Sequence, residues 1–216
     1  MSTLRGLYAV TPDWPDTGRL TAAVRLALQG GARLVQYRNK SASAALRREQ
    51  AAALLPLCRR QGVPLIVNDH LELALQLDAD GVHLGAADDS LETARRRLPP
   101  GKLLGASCYR DLEAALRAQS LGADYVAFGS FFPSATKPDA VRAPVDLLQQ
   151  ARRTLTLLPI AAIGGITPGN AGALIDAGAS LLAVISALFD VADTAGAARR
   201  LTQLFEAAED HAPQPQ

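Results

Sequence analysis

The stretch PLIVNDHLELALQLDADGVHLGAADD, residues 64–89, decides how the rest of the chain is read. Pro64–Val67 is a short apolar run of strand type, and Asn68-Asp69 opens a polar turn. A short amphipathic helix follows from Leu71, then a second strand at Gly81–Leu84. Each strand delivers an acid just past its C-terminal end, Asp69 after the first and Asp88 after the second. If the strands are parallel neighbours, both carboxylates lie at the same end of one sheet. Two carboxylates beside the Asn68 amide suit a hard cation such as Mg²⁺, which takes oxygen ligands and often bridges to phosphate oxygens. The bland alternative makes both acids helix caps, Asp69 for the helix at Leu71 and Asp88 for the one at Leu91.

Six further apolar runs flank this stretch: Leu7–Thr11, Leu34–Tyr37, Leu103–Cys108, Tyr125–Gly129, Pro159–Ile163 and Leu181–Ile185. Helical segments separate them at Gly18–Gln29, Ala42–Gln61, Asp111–Leu121, Val145–Leu155, from near Pro168, and at Thr194–Ala208. Pro56 is expected to kink or break the second of these. The runs are continuously apolar, as parallel strands buried on both faces should be. Gly31-Ala32, Gly122-Ala123 and Gly178-Ala179 each end a helix and lead into a strand, a weak internal repeat. An open doubly wound sheet is the alternative, but eight βα units in 216 residues fit one compact (β/α)₈ TIM barrel of the α/β class. The barrel is expected over residues 1–210, and the polar, Pro-containing tail 211–216 is expected to fray.

Composition narrows the partners. A net charge of +1 with no Lys/Arg block gives no electrostatic reason to expect nucleic acid. No apolar run approaches the roughly 20 residues that cross a bilayer. The N-terminus lacks a signal-peptide pattern, so a cytoplasmic protein is expected. Cys58 and Cys108 lack metal-type spacing and read as reduced and inert. Oligomeric state is not legible, and a homo-oligomer is compatible with the sequence. Only Lys40, Lys102 and Lys137 are lysines among 22 basic residues, which suggests a need for a compact ammonium in the loops that keep one.

In a barrel of this kind the chemistry sits in the loops after the strands. Gln36, Arg38 and Lys40 alternate at the end of the second strand and share one direction while the backbone is extended, either an anion-binding wall or a solvated strand end. Asn68 and Asp69 follow the third strand, Asp88 the fourth and Ser107 the fifth. A long loop after the sixth carries Ser134, Ala135, Thr136 and Lys137. Gly164-Gly165 and Ile185-Ser186 close the last two strands, where barrels frequently bind phosphate through backbone N–H groups and a helix N-terminus. Glycine there keeps side chains from holding a phosphate off the amides. A cation site, a cationic wall and a separate phosphate cradle imply two phosphorylated partners or one doubly phosphorylated substrate. His83 reads as a hydrogen-bonded strand residue, and His70 as decoration of its turn.

At these residues the chain closely resembles the thiamine-phosphate synthase family, over nearly its whole length. The motifs are QYRNK (Gln36–Lys40), NDHLELAL followed by ADGVHLG, GSFFPSATK, and AIGGI with the more distant Asn170. The resemblance implies a (β/α)₈ transferase of thiamine biosynthesis. It joins 4-amino-5-hydroxymethyl-2-methylpyrimidine diphosphate to a thiazole phosphate with Mg²⁺, releasing pyrophosphate. Carried over by position, it implies that Gln36, Tyr37, Arg38, Asn39 and Lys40, with Asn68, hold the pyrimidine diphosphate. Asp69 and Asp88 would bind Mg²⁺, and Ser107 and Lys137 would reach the diphosphate. Arg38, Ser107 and Lys137 are then the catalytic groups, and Ser134, Ala135, Thr136, Gly165, Ile185 and Ser186 hold the thiazole phosphate.

The chain departs from the family pattern at three places. Ala86 and Ala87 stand where the family usually writes a glutamine, Asp89 directly follows Asp88, and Cys108-Tyr109 lack a histidine often seen nearby. A thiazole tautomerase on the same barrel is the nearest rival, but it has no need for Asn68, Asp69, Asp88 and Lys137 together. A non-catalytic phosphometabolite-binding barrel predicts binding without pyrophosphate release. A barrel isomerase of sugar or tryptophan metabolism wants a placed acid–base pair, which the sequence offers only by reusing the metal ligands.

Overall fold

The computed structural model describes residues 4–85, 90–134, 141–156 and 158–210. The tail at 211–216 lies outside the described residues. The strands are β1 (Gly6–Val10), β2 (Leu34–Tyr37), β3 (Leu65–Asn68), β4 (Gly81–Leu84), β5 (Leu103–Tyr109), β6 (Tyr125–Gly129), β7 (Ile160–Ile163) and β8 (Leu181–Val184). They pair in chain order, all parallel, and Gly6–Ala9 of β1 closes the barrel against Leu181–Val184 of β8. The closed eight-stranded sheet with alternating helices is a TIM barrel, as the run of βα units predicts.

The helices are α1 (Thr17–Gln29), α2 (Ala44–Arg60), α3 (Leu71–Gln76), α4 (Leu91–Arg97), α5 (Leu112–Ser120), α6 (Asp146–Thr154), α7 (Ala171–Asp176), α8 (Ser186–Phe189) and α9 (Thr194–Asp210). Two-residue alternation along the strands divides the apolar side chains between two places. Leu7, Ala9, Val35, Val126, Phe128, Ile160 and Leu182 pack outward beneath the helices. Tyr8, Val10, Leu34, Ile66, Tyr125, Ala161 and Leu181 pack into the barrel axis. The N-terminal half of the barrel is thereby filled, and its open space is left at the C-terminal ends.

Several expectations are revised. Pro56 does not break α2, which runs through it to Arg60. Pro56 and Ala52, whose carbonyl loses its helical partner, both lie on the exposed face, which leaves that carbonyl open to solvent. The cap of α4 is Ser90, whose hydroxyl accepts from Thr93 N, so Asp88 is not needed there. The N-cap position of α3 is His70, not Asp69. The helix expected near Pro168 begins at Ala171, and the four-residue α8, too short to show a periodicity, was not legible at all.

The helix-ending repeat is broader than its glycines. Gly31, Gly122 and Gly178 all have left-handed backbones, and the amides of Ala32, Ala123 and Ala179 each return to a carbonyl of the helix just ended. Asp78 takes the same role at φ 52°, with Ala79 N donating to Ala74 O at 2.9 Å. Gly62 repeats it after α2, where Val63 N donates to Cys58 O at 3.1 Å, and a search for glycine alone passes over Asp78 because aspartate tolerates the left-handed region through its short polar side chain.

Candidate active site at the C-terminal mouth of the barrel

A cavity of about 670 Å³ opens at the C-terminal ends of the strands. Its walls include Gln36, Arg38, Lys40, Asn68, Asp69, Ser107, Ser134, Gly165, Ile185 and Ser186, drawn from six different strand ends or loops. The described members of the expected site therefore converge, apart from Tyr37 and Asn39. Asp88, Ala135, Thr136 and Lys137 lie outside the described residues, as do Ala86, Ala87 and Asp89.

The alternation after β2 holds. Gln36, Arg38 and Lys40 face the cavity, and the intervening Tyr37 and Asn39 turn toward the helix layer. Both are anchored on Gln50 of α2, which is fully buried. Gln50 Oε1 accepts from Tyr37 OH and from Asn39 Nδ2, each at 3.0 Å, and its Nε2 donates to Trp14 O at 2.9 Å. Tyr37 and Asn39 instead line a smaller pocket of about 200 Å³ with Arg47 and His70. Arg38 is fixed from β1: its N–H donates to Thr11 Oγ, the Thr11 hydroxyl donates back to Arg38 O, and its guanidinium meets Asp13 Oδ1 at 2.9 Å.

Asn68 and Asp69 stand between the two pockets. Asp69 is held at φ 62°, in the left-handed region that aspartate, as at Asp78, tolerates better than most residues. Its N–H is tied to His83 O at 2.9 Å, and its carboxylate lies 3.7 Å from Lys40 Nζ. Among the described residues no cluster of three or more His, Cys, Asp or Glu is formed. A hard cation bound here would draw on Asp69 and on oxygens from outside the described residues, from water or from a phosphate. That suits Mg²⁺, which keeps water and takes one or two carboxylates.

At the opposite end, Gly164 (φ 106°) and Gly165 (φ 63°) turn the chain after β7. The structure gives these glycines a reason beyond access to a phosphate. A Cβ on Gly164 would lie 1.9 Å from Ser130 Oγ, and one on Gly165 would lie 2.2 Å from Pro133 O. Asn170 staples the same turn, accepting from Thr167 N at 2.8 Å and donating to Gly165 O at 3.0 Å. Across from it α8 begins at Ser186, beside Ile185, where first-turn amides lack intrahelical acceptors.

His83 is the hydrogen-bonded strand residue that the sequence suggests, whereas its place in the cavity wall, and those of several other groups, were not legible. His83, buried within β4, lines the cavity and places Nε2 2.8 Å from Ser107 Oγ. This resembles a nucleophile–base pair, but Nδ1 faces the neutral Tyr125 phenol at 3.0 Å rather than an orienting carboxylate. Burial pushes the Tyr125 and Tyr8 hydroxyls well above the usual phenol range, so both stay protonated. Tyr8, Tyr109 and Arg110 also line the cavity. The only available signal for Tyr8, His83 and Tyr125 was strand parity: each occupies an inward position of its own strand, as Gln36 does. Cys58 and Cys108 are buried thiols pushed up to about 12 by desolvation, which keeps them inert.

The fold and site define a (β/α)₈-barrel enzyme with polar and cationic groups gathered at the C-terminal mouth. The sequence profile described as thiamine monophosphate synthase matches residues 7–188. A thiamine-phosphate synthase of Aromatoleum aromaticum is 56% identical over 204 residues, covering 94% of this chain and 98% of that protein. One of Thiobacillus denitrificans is 58% identical over 202 residues, covering 94% and 95%. The solved thiamine phosphate pyrophosphorylase from Pyrococcus furiosus superposes with a TM-score of 0.84 at 35% identity, over 95% of this chain and 97% of that one. The chain belongs to the thiamine-phosphate synthase family, whose members are transferases.

Proposed function

We propose that this protein condenses 4-amino-5-hydroxymethyl-2-methylpyrimidine diphosphate with thiazole phosphate, giving thiamine phosphate and pyrophosphate. The observation that carries this reading is one cavity holding Gln36, Arg38, Lys40, Asn68 and Asp69 at one end and the Gly164-Gly165 turn with Ser186 at the other. The first group suits a heteroaromatic ring bearing a diphosphate, and the second a single phosphate on a partner ring. Residues 1–210 form the catalytic unit in this reading, and the reaction belongs to the cytoplasm. No described helix is long and apolar enough to cross a membrane.

The bond that breaks joins the pyrimidine's methylene carbon to the diphosphate oxygen, which leaves with the electron pair. The ring's 4-amino group donates electron density to that carbon, so cleavage runs through a cation-like state. Arg38 and Lys40 face the charge growing on the leaving diphosphate, and the Ser107 hydroxyl adds a hydrogen bond there. Preorganised donors of this kind are typically worth ~3–4 kcal/mol each. Lys137 belongs to the same set by family position. The thiazole nitrogen then contributes its lone pair to the new C–N bond, and the β7–β8 cradle serves by holding that ring within reach. Mg²⁺, held by Asp69 with Asp88, supplies further charge neutralisation to the diphosphate when bound. No protein nucleophile is required.

The test is pyrophosphate release by the purified protein given each substrate alone and both together, with and without Mg²⁺, beside Asp69→Ala. Release requiring both substrates and the metal, and collapsing in the variant, is expected. A folded wild type that binds thiazole phosphate but releases no pyrophosphate would sink the reading and bring the tautomerase or binding-module alternative forward.

A further inference from the structure

Five polar side chains from five strands form one hydrogen-bonded line across the barrel. Gln36 Nε2 donates to Tyr8 OH at 2.6 Å, and the Tyr8 and Tyr125 hydroxyls meet at 2.6 Å. Tyr125 OH lies 3.0 Å from His83 Nδ1, and His83 Nε2 lies 2.8 Å from Ser107 Oγ. Gln36, Tyr8, His83 and Ser107 line the cavity, whereas Tyr125 is fully buried behind them. Its ring stacks on His83 with centroids 5.5 Å apart and meets Tyr8 edge-on at 5.7 Å.

The sequence makes room for this line at one position. A Cβ on Gly105 of β5 would lie 2.3 Å from Tyr125 OH and 2.4 Å from His83 Nδ1, inside their hydrogen bond. Glycine at 105 is thus a condition of the Tyr125–His83 contact. No positive φ explains it, since Gly105 is absent from the left-handed residues.

Tyr125 is the middle link, and its loss removes a partner from Tyr8 and from His83 at once. A Gln amide nitrogen only donates, so the Tyr8 bond turns the Gln36 carbonyl oxygen away from Tyr8 as an acceptor. The His83 bond likewise limits the directions open to the Ser107 hydroxyl. Networks of buried hydroxyls and imidazoles are coupled in this way, and a gap in the middle is felt at both ends.

We propose that Tyr125 is a positioning residue for the pyrimidine diphosphate: through Tyr8 and His83 it sets the directions of Gln36 at the ring end and Ser107 at the diphosphate end. This rests on the synthase reading above. Tyr125 touches no substrate, and the thiazole-phosphate cradle lies outside its line.

Tyr125→Phe tests it, with wild-type pyrophosphate release as the reference. Absence of that release counts against the synthase reading itself, not against the role of Tyr125. In the variant, KM for the pyrimidine diphosphate is expected to rise about tenfold, with KM for thiazole phosphate within about twofold, because only one substrate's contacts lose their support. Equal changes in both KM values, or unchanged kinetics in a folded variant, overturn the proposal. If the variant fails to fold, the wild type decides. The ¹⁵N imidazole resonances of His83 are expected to shift with the pyrimidine diphosphate and stay fixed with thiazole phosphate, and no shift with the first overturns the proposal.

Discussion

Asp13 Oδ1 accepts hydrogen bonds from the Arg38 guanidinium and from the Lys40 backbone N–H, each at 2.9 Å. One carboxylate in the β1–α1 loop thus fixes the Arg38 guanidinium and the Lys40 backbone. The Arg38 side chain is only 11% exposed while Asp13 is 36% exposed, so the pair sits at the boundary where an ion pair keeps part of its strength. Asp13→Ala should free Arg38 and the Lys40 loop without touching the cavity floor. Expected is a rise of about tenfold in KM for the pyrimidine diphosphate, measured by steady-state pyrophosphate release, with Tm nearly unchanged.

Gln50 supports the same loop from behind. Gln50→Leu keeps the volume but removes the acceptor of the Tyr37 hydroxyl, while Asn39 Nδ2 and Trp14 O each lose one bond and keep the one between them at 3.0 Å. Unsatisfied buried groups cost about 1–3 kcal/mol, so urea unfolding should show a loss of at least that size. Gln50→Glu, which keeps the acceptor for Tyr37 and Asn39, should recover part of it.

Gly165→Ala should be severe, because the clash is with Pro133 backbone rather than with a flexible side chain. The new side chain also sits at φ 63°, adding about 1–2 kcal/mol of strain. Thiazole phosphate binding, followed by calorimetry, is expected to weaken by at least tenfold while the pyrimidine diphosphate still binds.

Alkaline pH should destabilise the fold. Burial raises Cys58 and Cys108 from 9.0 to about 12 and Tyr37 from 10.0 to about 12. Below pH 9 both folded and unfolded chains hold these protons, and stability is at its full value. Between pH 9 and 12 only the unfolded chain ionises them, so stability falls through that window. Thermal midpoints should be flat below pH 8.5 in this respect and decline above it, and Cys58→Ala should shallow the decline.

The barrel was legible because eight apolar runs, each too short to be a helix and each followed by a helical period, leave few ways to bury every strand on both faces. The Gln36-Arg38-Lys40 row was legible for the same local reason, since side chains two apart in extended backbone share a side. The break allowed for at Pro56 does not occur, because its cost depends on whether Ala52 faces solvent, which is a tertiary fact. Tyr37 and Asn39 were grouped with their neighbours by motif, and only the position of Gln50 shows that they serve the loop from its far side.

What the sequence determined by itself was therefore local and periodic: the order of elements, the parity of each strand, the acid after β3 and the paired glycines after β7. Tertiary structure decided which residues of equal parity meet. Tyr8, Gln36, His83, Ser107 and Tyr125 stand up to 117 positions apart in the chain, and no spacing rule links them. They touch because closure of the barrel sets the register of each strand on its neighbour, and because Gly105 leaves the gap in which two of them bond. Register and free volume are properties of the packed whole, so the hydrogen-bonded line appears only when all eight strands are in place.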